Sequence, residues 1–142
     1  MTDQPLDSAI GWVAEHTRKY VESDGADGHT WMGVPTLVLT TKGRKTGQSR
    51  RNALIYGQDG DNYVVVASRG GDDHHPHWYL NLRDEPSVHV QVGAEKFEAR
   101  AHSASAEERE RLWPLMASVW PAYDDYQKRT KRQIPVVILE RR

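Results

Sequence analysis

Five short strand-like runs, with three turn signals among them, constrain this chain more than any other feature. Residues 35–41 (PTLVLTT) and 49–56 (SRRNALIY) flank a turn over residues 42–48 that contains Gly43 and Gly47. Asp59-Gly60-Asp61 leads into residues 62–68 (NYVVVAS), and Gly93-Ala94 divides residues 88–92 (VHVQV) from 96–102 (KFEARAH). Strand side chains alternate between two faces, and tight Gly- and Asp-containing connections turn such strands antiparallel. A final apolar run, residues 134–139, reads as one more strand. With Pro135 near its start, lacking a ladder donor, it is expected to close the sheet at an edge.

Helical signals lie between these runs. Leu6, Ile10, Val13, Ala14, Thr17 and Val21 recur at three- and four-residue spacing, which predicts an amphipathic helix over residues 6–21. The Gly- and Asp-rich stretch 22–30 predicts a loop. Residues 76–82 (PHWYLNL) open with proline and stop before Pro86, as a short helix would. Ser105 with Glu108 forms a capping-box pair that launches a helix to about Val119; Pro121 interrupts it, and residues 123–130 supply one more short helix. Five or six strands joined by hairpins, with helices inserted rather than alternating, predict an antiparallel barrel with outer helices, not a doubly wound parallel sheet. At 142 residues the chain has one domain's length: residues 1–30 carry the helix and linker, and 31–142 the barrel.

The composition excludes several chemistries. Without cysteine there is no disulfide, thiolate zinc site, iron–sulfur cluster or thiol nucleophile, and a cytoplasmic location is expected. No apolar stretch approaches the ~20 residues of a membrane span, and the start lacks a signal-peptide pattern, so no membrane association is expected. A net charge of -1 conceals basic clusters at residues 42–51 and 128–132 and an acidic one at 107–110. The basic patches invite an anion, but no RNA-binding or zinc-knuckle pattern points to nucleic acid.

Four positions draw attention. The turn residues Arg44, Lys45, Thr46, Arg50 and Arg51 place cations and a hydroxyl beside glycines that expose backbone N–H groups, as phosphate binding requires, although charged hairpin tips also serve only to protect edges. Val66, Ala67, Ser68 and Arg69 end a strand before Gly70-Gly71, where backbone amides can face a planar heterocycle; a flexible loop is the alternative. His74, His75 and His77 are split by Pro76 and lack an H-E-x-x-H pattern, which favours a polar loop over a metal site. Trp120, Tyr123 and Tyr126, spaced by three, share a helical face that either packs in the core or lines a wet pocket. A nucleophile elbow is absent.

Taken together, GRKTGQSRRN, VVVASRGG, PHWYLNLRDEP and WPAYDDYQ before IPVVIL resemble, in order, the deazaflavin-dependent nitroreductase family of actinobacteria, over about residues 35–139. The resemblance implies a split β-barrel related to flavin mononucleotide-binding oxidoreductases, and a reductase using the reduced form of coenzyme F420. It implies phosphate-side contacts at Arg44, Lys45 and Thr46, continued by Arg50, Arg51, Asn52, Ala53, Leu54 and Ile55. It places residues 66–69 beside the deazaflavin ring, His77, Trp78, Tyr79, Leu80 and Asn81 in a second coenzyme-contacting stretch, and Tyr123 near the reactive face. Ser68, Tyr123 and Tyr126 are then candidate hydrogen-bond or proton donors, and Ile55, Trp78, Trp120 and Tyr126 the substrate pocket. Trp120 and Ile55 depart from the best-known nitroreductase pattern, which has tyrosines there. Acceptors of the expected class are enones, unsaturated lactones, quinones and nitroaromatics, with an F420-reducing dehydrogenase supplying reduced coenzyme and a homo-oligomer as the assembly. The rival readings are an enzyme using flavin mononucleotide and a non-catalytic F420 carrier or sensor.

Overall fold

The structure, a computed structural model, describes residues 6–7, 11–31 and 33–142. Its elements in chain order are β1 (Leu6–Asp7), α1 (Gly11–Glu22), β2 (Thr30–Trp31), β3 (Val34–Lys42), β4 (Ser49–Ile55), β5 (Gly57–Asp59), β6 (Asn62–Val66), a 3-10 turn (Arg69–Gly71), α2 (His77–Asp84), β7 (Ser87–Val92), β8 (Glu95–Ser103), α3 (Ala106–Val119), α4 (Ala122–Arg129) and β9 (Val136–Arg141). One curled sheet runs β1-β4-β3-β7-β8-β9-β6-β5, with β2 on β3; only β1–β4 is parallel. β4 approaches β6 without pairing with it, and that gap is the split in the barrel.

The hairpins form where the turn signals fall. Lys42 pairs with Ser49, Asp59 with Asn62, and Val92 with Glu95. The short β5 has too few residues to show an alternation and is not legible in the sequence. Two elements differ from expectation. Leu6 and Asp7 pair with Arg50 and Arg51 along the free edge of β4, and the described helix begins at Gly11; residues 8–10, with Ile10, lie outside the described residues. β9 is not an edge strand but lies between β8 and β6. Pro135 stands just before the ladder and contributes only its carbonyl, which accepts from the Ala67 N–H at 2.9 Å.

Central placement explains the sequence of β6 and β9. Val65, Ala67, Val137 and Leu139 face the barrel interior with Leu37, Leu39, Val90, Phe97 and Ala99. Val64, Val66, Val136 and Ile138 face outward against Leu112, Met116 and Tyr123 of the helices. Both faces are covered, so both strands read as apolar runs rather than alternations.

α1 is stitched to the barrel by Tyr20, which is fully buried. Its hydroxyl donates to the Thr36 carbonyl at 2.9 Å and accepts from the Gly93 N–H at 2.6 Å. The following turn docks closely: Gly25 has φ +86, and a Cβ there would come within 2.4 Å of the Gly93 backbone. The Gly- and Asp-rich stretch is thus a pinned turn that ends in β2.

The capping box of α3 forms as the sequence predicts, with Ser105 Oγ accepting from the Glu108 N–H at 3.2 Å and Glu108 Oε1 from the Ser105 N–H at 2.9 Å. Ser105→Ala is expected to destabilise the protein by ~1 kcal/mol, read as a lower urea midpoint with an unchanged slope.

Candidate functional site

A cleft of about 710 Å³ opens along the split between β4 and β6. The basic turn contributes Gly43, Arg44 and Lys45, and β4 contributes Arg50 and Asn52 to Ile55. Val66, Ser68, Arg69 and Gly70 form the opposite wall; Pro76, His77, Trp78 and Asn81 come from the start of α2. Trp120, Tyr123 and Tyr126 close it from α4 and its approach, with His16 and Thr36 also in the lining. A separate depression of about 460 Å³ lies outside the basic turn, between Lys42, Ser49, Glu85 and His89, and has no aromatic lining.

The charge of the cleft is one-sided. Among the described residues its lining holds Arg44, Lys45, Arg50 and Arg69 and no carboxylate, in a chain whose net charge is -1. His77 reports the resulting potential. Its basicity falls below the ordinary histidine value, first through burial and then through Arg44, Arg69, Lys45 and Arg50. At neutral pH the imidazole is therefore uncharged, and the excess positive charge belongs to the four cations.

Arg44 is held in place from below. Its backbone N–H and guanidinium Nη1 donate to Asn81 Oδ1 at 3.2 and 2.9 Å, and Asn81 Nδ2 donates to Thr41 Oγ1 at 3.3 Å. Asn81 is only 4% exposed. Its amide therefore orients the guanidinium at the cleft mouth as well as lining the wall.

The other end of the cleft is aromatic. The Trp120 indole donates to the Tyr126 hydroxyl at 3.4 Å, and the Tyr123 and Tyr126 rings meet edge to face with centroids 6.1 Å apart. Tyr123 is 4% exposed, and burial pushes its phenol well above the ordinary value, with Tyr126 adding to the shift. Tyr123 is thus a buried wall of the cleft whose hydroxyl stays protonated near neutrality and can donate a hydrogen bond.

Five residues that the family resemblance places against the coenzyme do not line the cleft. Ala67 points into the barrel core, and Tyr79 is buried with its hydroxyl on Ser103 Oγ at 2.8 Å. Leu80 packs on the same core, while Thr46 Oγ1 accepts from the Gln48 N–H within the turn. Arg51 lies beside the lining residues Arg50 and Asn52 on β4 without lining the cleft itself. The helical period explains α2: positions 77, 78 and 81 line the cleft, Trp78 also packing on the core, while 79 and 82 face the core alone. Conversely His16, Thr36, Gly43, Gly70 and Pro76 line it without standing among the contacts the resemblance implies. The last three adjoin residues already singled out, but nothing local in the sequence marks His16 or Thr36. Among the described residues no group of three metal-ligating side chains converges, and no helix is long and apolar enough to cross a membrane.

Residues 12–141 match the F420H(2)-dependent quinone reductase family. An F420H(2)-dependent quinone reductase of Mycobacterium tuberculosis is 41% identical over 131 residues, spanning 89% of this chain and 88% of the relative. A solved F420-H2 dependent reductase, FDR-A, superposes with a TM-score of 0.70 at 40% identity, over 75% of this chain and 94% of that one. A second solved structure, described as a domain-swapped dimer, superposes with a TM-score of 0.72 at 38% identity, over 94% and 100% of the two chains. The split barrel, the basic mouth of the cleft and these similarities agree, and the chain belongs to the F420H(2)-dependent quinone reductase family.

Proposed function

We propose that this protein is an F420H2-dependent reductase whose acceptor is a quinone, with enones, unsaturated lactones and nitroaromatics as further acceptors of the same electron-poor class. The observation that carries this reading is a cleft with four cations, no carboxylate in its described lining, and an aromatic end. Coenzyme F420 joins a planar deazaflavin to a tail bearing a phosphodiester and glutamates, and the two ends of the cleft match those two chemistries. The volume lies within the ~300–1,000 Å³ usual for ligand clefts. Reduced F420, when bound, supplies a hydride.

The chain's own residues do the rest. Arg44, Lys45, Arg50 and Arg69 hold the anionic tail, Arg44 pre-set by Asn81 so that little ordering is needed on binding. Val66, Ser68 and Gly70 flank the ring, and Ile55, Trp78 and Trp120 shape the acceptor pocket and exclude water. Negative charge develops on the acceptor oxygen during reduction, and a positioned hydroxyl stabilises it. Tyr126, whose oxygen accepts from Trp120 and so keeps its own O–H to donate, and Ser68, 9% exposed in the opposite wall, serve this role better than the buried Tyr123. The same reading makes the protein a cytoplasmic, single-domain enzyme, supplied by an F420-reducing dehydrogenase and working as a homo-oligomer.

The test is a titration with F420 by tryptophan fluorescence, followed by reoxidation of the reduced coenzyme with a quinone, an unsaturated lactone and a nitroaromatic. Binding with reoxidation is expected. Binding without turnover would indicate a carrier, and preference for flavin mononucleotide would overturn the coenzyme assignment. Tyr126→Phe and Ser68→Ala are each expected to lower kcat by roughly tenfold or more at nearly unchanged coenzyme affinity. Full turnover in both variants would remove the two hydroxyls from the chemistry.

A further inference from the structure

Residues 67–75, between β6 and α2, have only a short 3-10 turn of their own, and Ser68, Arg69 and Gly70 among them line the cleft. Arg69, Gly70 and Gly71 take φ values of +47, +64 and +84. The left-handed region is sterically disfavoured for arginine, so the surroundings must impose it. Those surroundings are α4 and the segment behind it. A Cβ on Gly71 would lie 2.8 Å from the Tyr126 carbonyl, and Thr130 Oγ1 donates to Asp73 Oδ1 at 2.8 Å.

Most of the hold comes from one side chain, Arg132. Its Nε donates to the Asp72 carbonyl at 2.7 Å and its Nη2 to the Ser68 carbonyl at 2.8 Å. Nη1 reaches the Ala67 carbonyl at 3.2 Å and His75 Nδ1 at 3.0 Å. A single planar guanidinium thus grips both ends of the segment, on either side of the left-handed turn. Because the guanidinium can only donate, Nδ1 of His75 is the accepting nitrogen of a neutral imidazole. Arg132 is itself anchored: Gln127 Nε2 donates to its carbonyl at 2.8 Å, and Gln127 Oε1 accepts from the Ile134 N–H at 2.9 Å. Arg132 is not among the residues lining the cleft.

We propose that Arg132 is a positioning residue, which fixes residues 67–75 in the shape that presents Ser68, Arg69 and Gly70 to the coenzyme without touching it. The proposal rests on the coenzyme reading above. Lysine in its place keeps the charge but gathers its donors on one nitrogen, so it cannot reproduce contacts that Arg132 spreads over the three nitrogens of a planar fork.

Hydrogen exchange of the coenzyme-free protein, together with F420 titration by tryptophan fluorescence, tests this in Arg132→Lys. Faster exchange confined to residues 67–75 is expected, with β6 and β9 still protected, alongside coenzyme affinity weaker by about tenfold. Unchanged exchange overturns the clamp; a loosened segment with undiminished affinity overturns its role in positioning. Should Arg132→Lys fail to fold, Thr130→Val, which releases the Asp73 tether, carries the same test at smaller amplitude. Absence of F420 binding in the unaltered protein would overturn the coenzyme reading instead, and the exchange comparison alone would then decide the clamp.

Discussion

Arg44→Ala is expected to weaken F420 binding by roughly ten- to a hundredfold, the largest loss for any single cation of the cleft. A hydrogen-bonded charge contributes about 1.5–3 kcal/mol, and each 1.4 kcal/mol is tenfold in affinity. Arg44 stands out because it is the cation fixed by a buried partner, through its Nη1 bond of 2.9 Å to Asn81 Oδ1. Lys45, by contrast, is exposed and must be ordered by the ligand. Titration at two ionic strengths checks the assignment. At ~1 M salt the screening length falls to about 3 Å, so the gap between Arg44→Ala and the unaltered protein should narrow for a charge contact and persist for a packing one. An unaltered dissociation constant at low salt would contradict the role of Arg44 outright.

The second large effect concerns stability. Tyr20→Ala should cost ~3–5 kcal/mol, the usual range for emptying a buried aromatic site. The hydroxyl adds to this, because the Thr36 carbonyl and the Gly93 N–H both lose their partner when it goes. Tyr20→Phe isolates that part and should cost ~1–3 kcal/mol. Urea denaturation measures both. The aromatic ring joins α1 to β3 and to the β7–β8 turn, and His16, one helical turn away, lines the cleft. Tyr20→Ala should therefore also impair coenzyme binding at temperatures where the barrel remains folded, and equal losses in Tyr20→Phe and Tyr20→Ala would show that packing is not what holds the helix.

Local signals in the sequence are strong where the structure is local. The hairpins, the capping box at Ser105 and the short helix stopped by Pro86 can all be read from neighbouring residues, because turn chemistry and capping act within a few positions. The place of β9 cannot. The continuous apolar run from Ile134 to Leu139 marks cover on both faces but not which strands flank it, and only the tertiary arrangement puts it between β6 and β8. Leu6 likewise fits a helical period yet pairs with Arg50, since a free strand edge offers backbone partners that periodicity does not register.

The cleft divides in the same way. Arg44, Lys45, Arg50, Ser68 and Trp78 are legible through turn, strand-end and motif context, whereas His16 and Thr36 reach the lining from positions with no chemical mark. Neighbours in sequence need not be neighbours in the lining: His77 and Trp78 line the cleft while Tyr79 and Leu80 do not, since a helix cannot turn four successive residues to one side. Conversely, the four contacts of Arg132 join residues far apart in sequence, and no spacing rule could connect them.

The central position of β9 also bears on how the protein is made. β6 and β8 emerge from the ribosome before the strand that joins them, so each presents an unsatisfied ladder edge while residues 104–135 are still being added. Barrel closure is therefore a late event of high contact order, and the nascent chain carries a strand-shaped vacancy with two hydrogen-bonding sides.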